Sequence, residues 1–222
     1  MGDRYGNIMK VNDEIPIFPL PNVILFPGMI LPLHIFENKY RDMIDDLIDK
    51  DPEDRLIAIT CMKVKNDGRY SYEKICTVGQ LISVKFLDDG RSNILIQGKF
   101  TAEVEPIKNQ LKEYLNCEIK LIREEYWKNP YEDKTPKYYE LLESIDNMKK
   151  RTNLVINNLE DYEFEDLING IAFSFNLNSE LKQQILETQE YEQRLKKLIE
   201  IIDKIGHYVN YKPNIKKFEE IN

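Results

Sequence analysis

The order of apolar and polar positions divides the chain into a strand-rich first half and a helical final third. In the first half, short runs of β-branched and aromatic residues are separated by Asp-Gly pairs at 67–68 and 89–90, which are typical of hairpin turns. We expect strands at residues 56–62, 78–87, 92–97, 100–107 and 114–122. Short strands joined by turns favour a small twisted barrel or folded sheet.

One helix interrupts the strand pattern near the start of the chain. Its apolar residues recur with helical spacing, and they are Tyr40, Met43, Ile44, Leu47 and Ile48. An acidic run on the other face comprises Asp42, Asp45, Asp46, Asp49 and Asp51. We interpret this run as a solvated helix face, with weak divalent-ion binding as the alternative.

The segment before this helix, residues 15–33, is crowded with proline and apolar residues. Five prolines exclude a helix, and they exclude a central strand throughout, because proline lacks the backbone N–H that both structures need. The Pro27-Gly28 pair is a turn signal. We therefore expect extended pieces broken by turns.

Helical periodicity takes over after the polar stretch at residues 126–134. A Thr-Pro pair at 135–136 predicts a helix start, and apolar stripes predict further helices near 162–175, 179–187 and 188–205. We place the subdomain boundaries accordingly: an N-terminal extension at 1–14, a β-rich subdomain at 15–125, a linker at 126–134, a helical bundle at 135–212 and a tail at 213–222.

Composition and charge narrow the classes of function. The 222 residues are 42% hydrophobic and 32% charged, which is typical of a soluble globular protein. A net charge of −8 disfavours nucleic-acid and anionic-membrane binding. The N-terminus lacks an apolar signal region, and no apolar run approaches the roughly 18 residues of a membrane span, so we expect a cytoplasmic location.

Chemistry-bearing residues are sparse. Cys61, Cys76 and Cys117 are widely spaced, which favours buried small hydrophobes over a disulfide or zinc site. We interpret His34 as a structural histidine whose ring bonds a loop carbonyl, with ligand contact or a pair with Cys61 as alternatives. No two glycines have the spacing of the phosphate-binding loop GxxxxGK[ST], and no HExxH occurs. We predict no catalytic residues, no metal and no cofactor.

Three stretches, in order along the chain, resemble a known family. The first is residues 15–37, IPIFPLPNVILFPGMILPLHIFE. The second joins residues 77–79 (TVG) to the Asp-Gly pair at 89–90 and residues 96–98 (IQG). The third joins residues 166–173 (DLINGIAF) to residues 183–187 (QQILE) and the Arg-Leu pair at 194–195. Across residues 15–205 the chain resembles the N-terminal, substrate-binding domain of Lon-type ATP-dependent proteases. The form of residues 34–41 is similar to small stand-alone relatives.

The resemblance implies an α+β fold, with a PUA-like β-rich pseudobarrel, one early helix and a C-terminal helical bundle. It also implies a non-catalytic module that engages unfolded or degradation-tagged polypeptides, in company with a protease or chaperone. We expect the contact residues Phe26, Met29, Phe36 and Tyr40 to line a shallow groove where the β subdomain meets the helices. Core packing is the alternative interpretation for the first three.

Two other classes of function stay open on the sequence. A structural or oligomerising module would recognise one folded partner or form a homodimer through the broad apolar stripe that ends at Ile205. A PUA-like binder of nucleic acid or a small ligand is disfavoured by the acidic charge and by the absence of a basic-aromatic patch.

Overall fold

A computed structural model of the protein describes residues 14–64, 67–107, 112–122, 143–147, 150 and 164–206. The chain divides into two compact units, Met1–Arg123 and Glu124–Asn222. The expected linker, the expected tail and most of the helix predicted after Pro136 lie outside the described residues. No helix in the described ranges is long and apolar enough to cross a membrane.

In its described part, the first unit is mainly an antiparallel sheet with one α-helix. Its strands are β1 (Ile15–Pro21), β2 (Ile30–Ile35), β3 (Leu56–Val64), β4 (Tyr70–Tyr72), β5 (Ile75–Phe86), β6 (Ser92–Pro106) and β7 (Leu115–Leu121). Helix α1 (Asn38–Ile48) follows β2, and a short 3₁₀ turn (Pro52–Asp54) precedes β3. The expected strands are confirmed, with one correction: the runs at 92–97 and 100–107 form the single strand β6.

The proline-rich β1 is extended, as expected, and it has partners on both sides. It pairs with β7 over Ile15–Ile17 and in parallel with β3 over Ile17–Pro21, so only Ile17 has a partner strand on each side. Each other residue of β1 has a partner strand on one side only, so the edge without a partner requires no backbone N–H donor. This staggered pairing explains how a strand with three prolines joins the sheet.

Five strands close into a ring in the order β1-β7-β6-β5-β3, and the parallel β3–β1 pairing completes the circuit. Apolar side chains from all five strands form one buried cluster. Its members are Ile15, Ile17, Leu56, Ala58, Cys76, Val78, Phe100, Ala102, Val104 and Cys117. Complete burial of such side chains stabilises the fold by roughly 1.5–3 kcal/mol each for the larger ones.

The ring continues into a three-stranded section, which we call the extension sheet. It consists of residues 30–35 of β2, 92–97 of β6 and 81–86 of β5. Strand β6 is long enough to pair with β7 through its second half and with β2 through its first half. The extension sheet carries two exposed apolar side chains, Ile82 and Phe86.

Helix α1 packs against the outer side of the ring. Phe18 alternates with the core residue Ile17 on β1, and its ring lies 4.3 Å from the ring of Tyr40 on α1. At the other end of α1, the Tyr114 hydroxyl donates to the Asp46 carboxylate over 2.5 Å. The helix is therefore fixed at both ends, and its buried side chains are Met43, Ile44 and Leu47.

The second unit contains helices α2 (Phe164–Ser174), α3 (Ser179–Leu186) and α4 (Tyr191–Gly206) in its described part, and residues 143–147 are also helical. Thr188 belongs to the α3–α4 connection, because its hydroxyl donates to the Gln184 carbonyl and its own carbonyl accepts from Arg194.

Arg194 is fully buried and organises this connection. Its guanidinium donates to the Thr188 carbonyl (2.9 Å), to the Asn169 side chain (3.0 Å) and to the Leu186 carbonyl (3.2 Å). Carbonyls at a helix end have no partner within the helix, so a buried guanidinium with several donors satisfies them well. One side chain thereby links α2, the end of α3 and α4.

Candidate functional site

The structure separates the four residues that the sequence suggested for polypeptide contact into two pairs. Phe26 and Met29 are buried, with exposed fractions of 0% and 6%. Phe36 is 62% exposed, and Tyr40 is half-buried against Phe18. Phe26 and Met29 thus pack in the core, whereas Phe36 and Tyr40 are accessible. Contact with polypeptide stays a prediction for all four.

The buried pair brackets a tight turn whose glycine has φ +82°. The Met29 amide donates to the Phe26 carbonyl over 3.2 Å. The turn is bonded to β6 by two hydrogen bonds, from the Gly28 amide to the Gly98 carbonyl (3.0 Å) and from the Gly98 amide to the Met29 carbonyl (2.8 Å). We call this contact between residues 26–29 and the β5–β6 pair the turn junction.

The turn junction explains two of the sequence stretches that carry the family resemblance. A Cβ atom on Gly98 would lie 2.3 Å from the Phe26 carbonyl oxygen, so only glycine allows the turn to approach β6 this closely. The buried Thr77 hydroxyl donates to the Leu25 carbonyl over 2.6 Å. Leu25, Thr77 and Gly98 are separated by up to about seventy positions in sequence. Their contacts hold the turn against the β5–β6 pair.

Of the accessible pair, Phe36 borders the extension sheet, whereas Tyr40 lies on α1 beside Phe18 of β1. Phe36 follows β2, and its ring stacks at 6.3 Å on the ring of His34. The Nδ1 atom of His34 bonds the side-chain oxygen of Asn93, its cross-strand neighbour on β6, over 2.7 Å. The expected loop carbonyl is therefore not the partner. His34 is exposed, and it braces the strand beside Phe36.

Sequence reasoning missed two further exposed apolar residues, Ile82 (43% exposed) and Phe86 (55% exposed). Both lie on β5 within the extension sheet. Ile35, Ser92 and Phe86 are cross-strand neighbours, so Phe36 and Phe86 lie at the same end of this sheet, with strand axes about 10 Å apart. We call Phe36, Ile82 and Phe86 the exposed apolar set.

Alternation alone could not have identified this set. Val84 and Phe86 share a face with buried residues of β6, so the pattern of β5 predicts that Phe86 is buried as well. The signal available in the sequence was the position of Phe86, immediately before the Asp-Asp-Gly turn. At a strand end, fewer neighbouring residues are present to cover a side chain.

One of the two aspartates at this turn forms an ion pair. The Arg91 guanidinium forms an ion pair with Asp89 at 2.5 Å. Its hydrogen bonds lower the pKa of the Asp89 carboxyl to about 2. Exposed Lys85 lies on the neighbouring part of β5, one residue from Phe86. By strand alternation, the Lys85 side chain projects from the face of β5 opposite to that of Phe86.

The cysteines are free and buried, as expected. Burial raises the pKa of the Cys117 thiol to about 12 and also raises the pKa of the Cys76 thiol. Both are protonated at neutral pH and are poor nucleophiles. Cys61 is buried on β3, whereas the His34 ring is exposed and bonds Asn93.

The acidic run of α1 is less uniform than expected. Asp46 accepts hydrogen bonds from Lys112 and from the Tyr114 hydroxyl, and these bonds lower the pKa of its carboxyl. One member of the run thus ties the helix to the segment before β7. Within the described ranges, no group of three His, Cys, Asp or Glu residues could hold a metal ion.

Comparison with known proteins gives concordant results. The chain is 29% identical to the Lon protease of Parabacteroides distasonis over 99% of its own length, and 29% identical to that of Desulfosudis oleivorans over 87%. These alignments cover 28% and 24% of the relatives, so the chain spans about a quarter of their length.

Two solved structures share the fold. The N-terminal domain of Mycobacterium avium complex Lon protease has a TM-score of 0.64 at 18% identity and covers 86% of this chain. The Lon N-terminal domain protein from Xanthomonas campestris has a TM-score of 0.63 at 15% identity and covers 85%. Each alignment includes 98% of the solved chain.

The family model of the ATP-dependent protease La (LON) substrate-binding domain matches residues 14–204. This range contains every described strand and nearly all of the described helices. The chain belongs to the Lon substrate-binding domain family.

Proposed function

We propose that this chain is a non-catalytic module that binds unfolded or degradation-tagged polypeptides for a protease or chaperone partner. The observation that carries the proposal is the exposed apolar set, which projects from a hydrogen-bonded sheet in a member of a substrate-binding family. The ring corresponds to a PUA-like pseudobarrel, and the helices of the second unit to a bundle.

Unfolded chains differ from folded ones in exposing apolar side chains and unpaired backbone groups. A surface that selects them therefore offers apolar area, which gains roughly 25 cal/mol per Å² buried. Phe36 and Tyr40 contact the polypeptide directly. Phe26 and Met29 contribute indirectly from the core, because the turn they bracket fixes the start of β2 against β6.

Binding to a protein that cannot fold tests this proposal. A reduced and alkylated protein carrying a fluorescent label is titrated with the purified chain, and anisotropy reports the Kd. Phe36→Ser removes an exposed aromatic ring, so we expect binding about tenfold weaker, since burial of such a ring is worth roughly 1.5–3 kcal/mol.

Tyr70→Ser is the matched control. Tyr70 is 71% exposed but lies on β4, which pairs with β3 and takes no part in the extension sheet. We expect this variant to bind like the parent chain. Absence of binding by the parent chain, or equal losses in the two variants, contradicts the proposal.

A further inference from the structure

The outer edge of β5 is open along the extension sheet. Strand β3 pairs with β5 only as far as Leu56 opposite Gln80, and one more hydrogen bond joins the Leu81 amide to the Arg55 carbonyl over 2.8 Å. Residues 82–86 then have β6 on one side and no strand on the other, as far as the described ranges extend.

The hydrogen-bond pattern identifies which backbone groups face outward. The Leu87 amide donates to the Arg91 carbonyl over 2.8 Å, so Leu87 and, two residues away, Lys85 direct their amides and carbonyls toward β6. Val84 and Phe86 alternate with them. Their N–H and C=O groups therefore point away from β6, toward the open edge.

The opposite edge of the same sheet is blunted. The bond from the Gly98 amide to the Met29 carbonyl fixes the alternation along β2, so the backbone of Ile30, Pro32 and His34 faces outward. Pro32, in the middle of this edge, has no N–H to donate. Of the two described edges of the extension sheet, the β5 edge is the one that offers a donor and an acceptor at each outward position.

From this geometry we infer how the proposed polypeptide ligand binds: an extended segment adds to β5 as an antiparallel strand, with an acidic residue opposite Lys85. Apolar residues flank that acid and lie opposite Val84 and Phe86. The inference rests on the proposed function and adds a binding mode, in which backbone bonds supply affinity and alternate side chains supply selectivity.

Charge argues for a foreign segment over a second copy of this chain. Two β5 edges that pair through both outward residues place Val84 of each opposite Phe86 of the other, which puts Lys85 directly opposite Lys85. Like charges at this position destabilise strand pairing, whereas an acidic residue opposite Lys85 stabilises it. Two acids, Asp88 and Asp89, lie in the turn beyond Phe86, and Asp89 is paired with Arg91.

The test uses two blocked, labelled peptides of alternating valine and threonine that differ only in a central glutamate or lysine. We expect the parent chain to bind the glutamate peptide more tightly, by about threefold for a cross-strand charge pair. Lys85→Glu should reverse this preference. Lys85 is exposed, so the substitution leaves the core untouched.

Val84→Pro tests the backbone component. It removes an outward N–H without taking a bond from the β5–β6 ladder, and we expect both peptides to bind about tenfold more weakly. Pro32→Ala is the matched control on the other edge, and it should leave both Kd values unchanged. Circular dichroism and thermal unfolding verify that each variant is folded.

The outcomes separate this inference from the proposed function. If the parent chain binds alkylated protein while Val84→Pro and Lys85→Glu bind both peptides as the parent does, the edge is not the site and the function stands. Stronger binding by Pro32→Ala alone would assign the β2 edge instead. If the parent chain binds neither alkylated protein nor peptide, both ideas are wrong.

Discussion

The turn junction and the exposed apolar set both include residues of β5, yet they differ in what the fold requires of them. At the turn junction, backbone atoms of the turn and β6 are in direct contact, and Gly98 leaves no space for a Cβ atom. At the exposed apolar set, the side chains are between 43% and 62% exposed. The residues at this junction that carry the family resemblance are therefore required by the fold. The residues of the exposed apolar set are not, so binding can determine which side chains occur there.

The largest effect that follows from this comparison is the loss of stability in Gly98→Ala. An added Cβ atom would lie 2.3 Å from the Phe26 carbonyl oxygen and would force the turn away from β6. The carbonyl belongs to the backbone, so it cannot move aside as a flexible side chain would. We expect the free energy of unfolding to fall by about 3 kcal/mol, as in other overpacked sites. Urea denaturation followed by circular dichroism measures it.

Gly68→Ala provides a control for this prediction. Gly68 has φ +77° but an added Cβ would meet nothing within 4 Å, so its cost is conformational only, about 1 kcal/mol. If the two alanine variants lose equal stability, close packing at the turn junction is not what requires glycine there.

A smaller loss is expected for Thr77→Val, which keeps the side-chain shape and removes the hydroxyl. The buried Leu25 carbonyl then loses a donor at 2.6 Å, a change worth roughly 1–2 kcal/mol. Hydrogen exchange at the Gly28 and Gly98 amides should accelerate more than exchange in the β3–β4 pair. Uniform acceleration would mean that the hydroxyl stabilises the whole sheet and not this junction.

The same contrast explains which parts of the fold could be predicted from the sequence. Strand positions, α1 and the Pro27-Gly28 turn followed from periodicity and turn chemistry, because those signals are local. The closure of β1 on β3, the fusion of two expected strands into β6 and the docking at Gly98 depend on contacts between distant residues. A glycine required by a neighbour's carbonyl looks, in sequence, like a glycine that breaks a strand.

The candidate surface was harder to predict for a related reason. Phe26, Met29, Phe36 and Tyr40 share a proline-rich and aromatic context, and nothing local distinguishes the two that are buried. Burial depends on which strand end is covered, and Phe86 is accessible because it lies at the end of β5, immediately before the turn. Edge position, which is a property of the assembled sheet, decides accessibility here.

The smallest effect concerns a polar contact at the surface, the bonds that Asp46 accepts from Lys112 and Tyr114. These bonds lower the pKa of Asp46 below its ordinary value of 3.8 in the folded state, so the carboxylate stabilises the fold above that value. The contribution is lost as the pH falls through the lowered pKa. Since the Asp46 side chain is 42% exposed and solvent screens its contacts, we expect Asp46→Asn to cost about 1 kcal/mol at neutral pH.

Urea midpoints measured from neutral pH down to about pH 2 check this, because the difference between parent and variant should shrink as the carboxyl is protonated. Asp45→Asn makes the same charge change on the exposed side of α1 and serves as the control. If both variants lose equal stability at neutral pH, net charge on the helix is responsible. If only Asp46→Asn does, the tie between α1 and the segment before β7 contributes to stability in a way that the exposed apolar set does not.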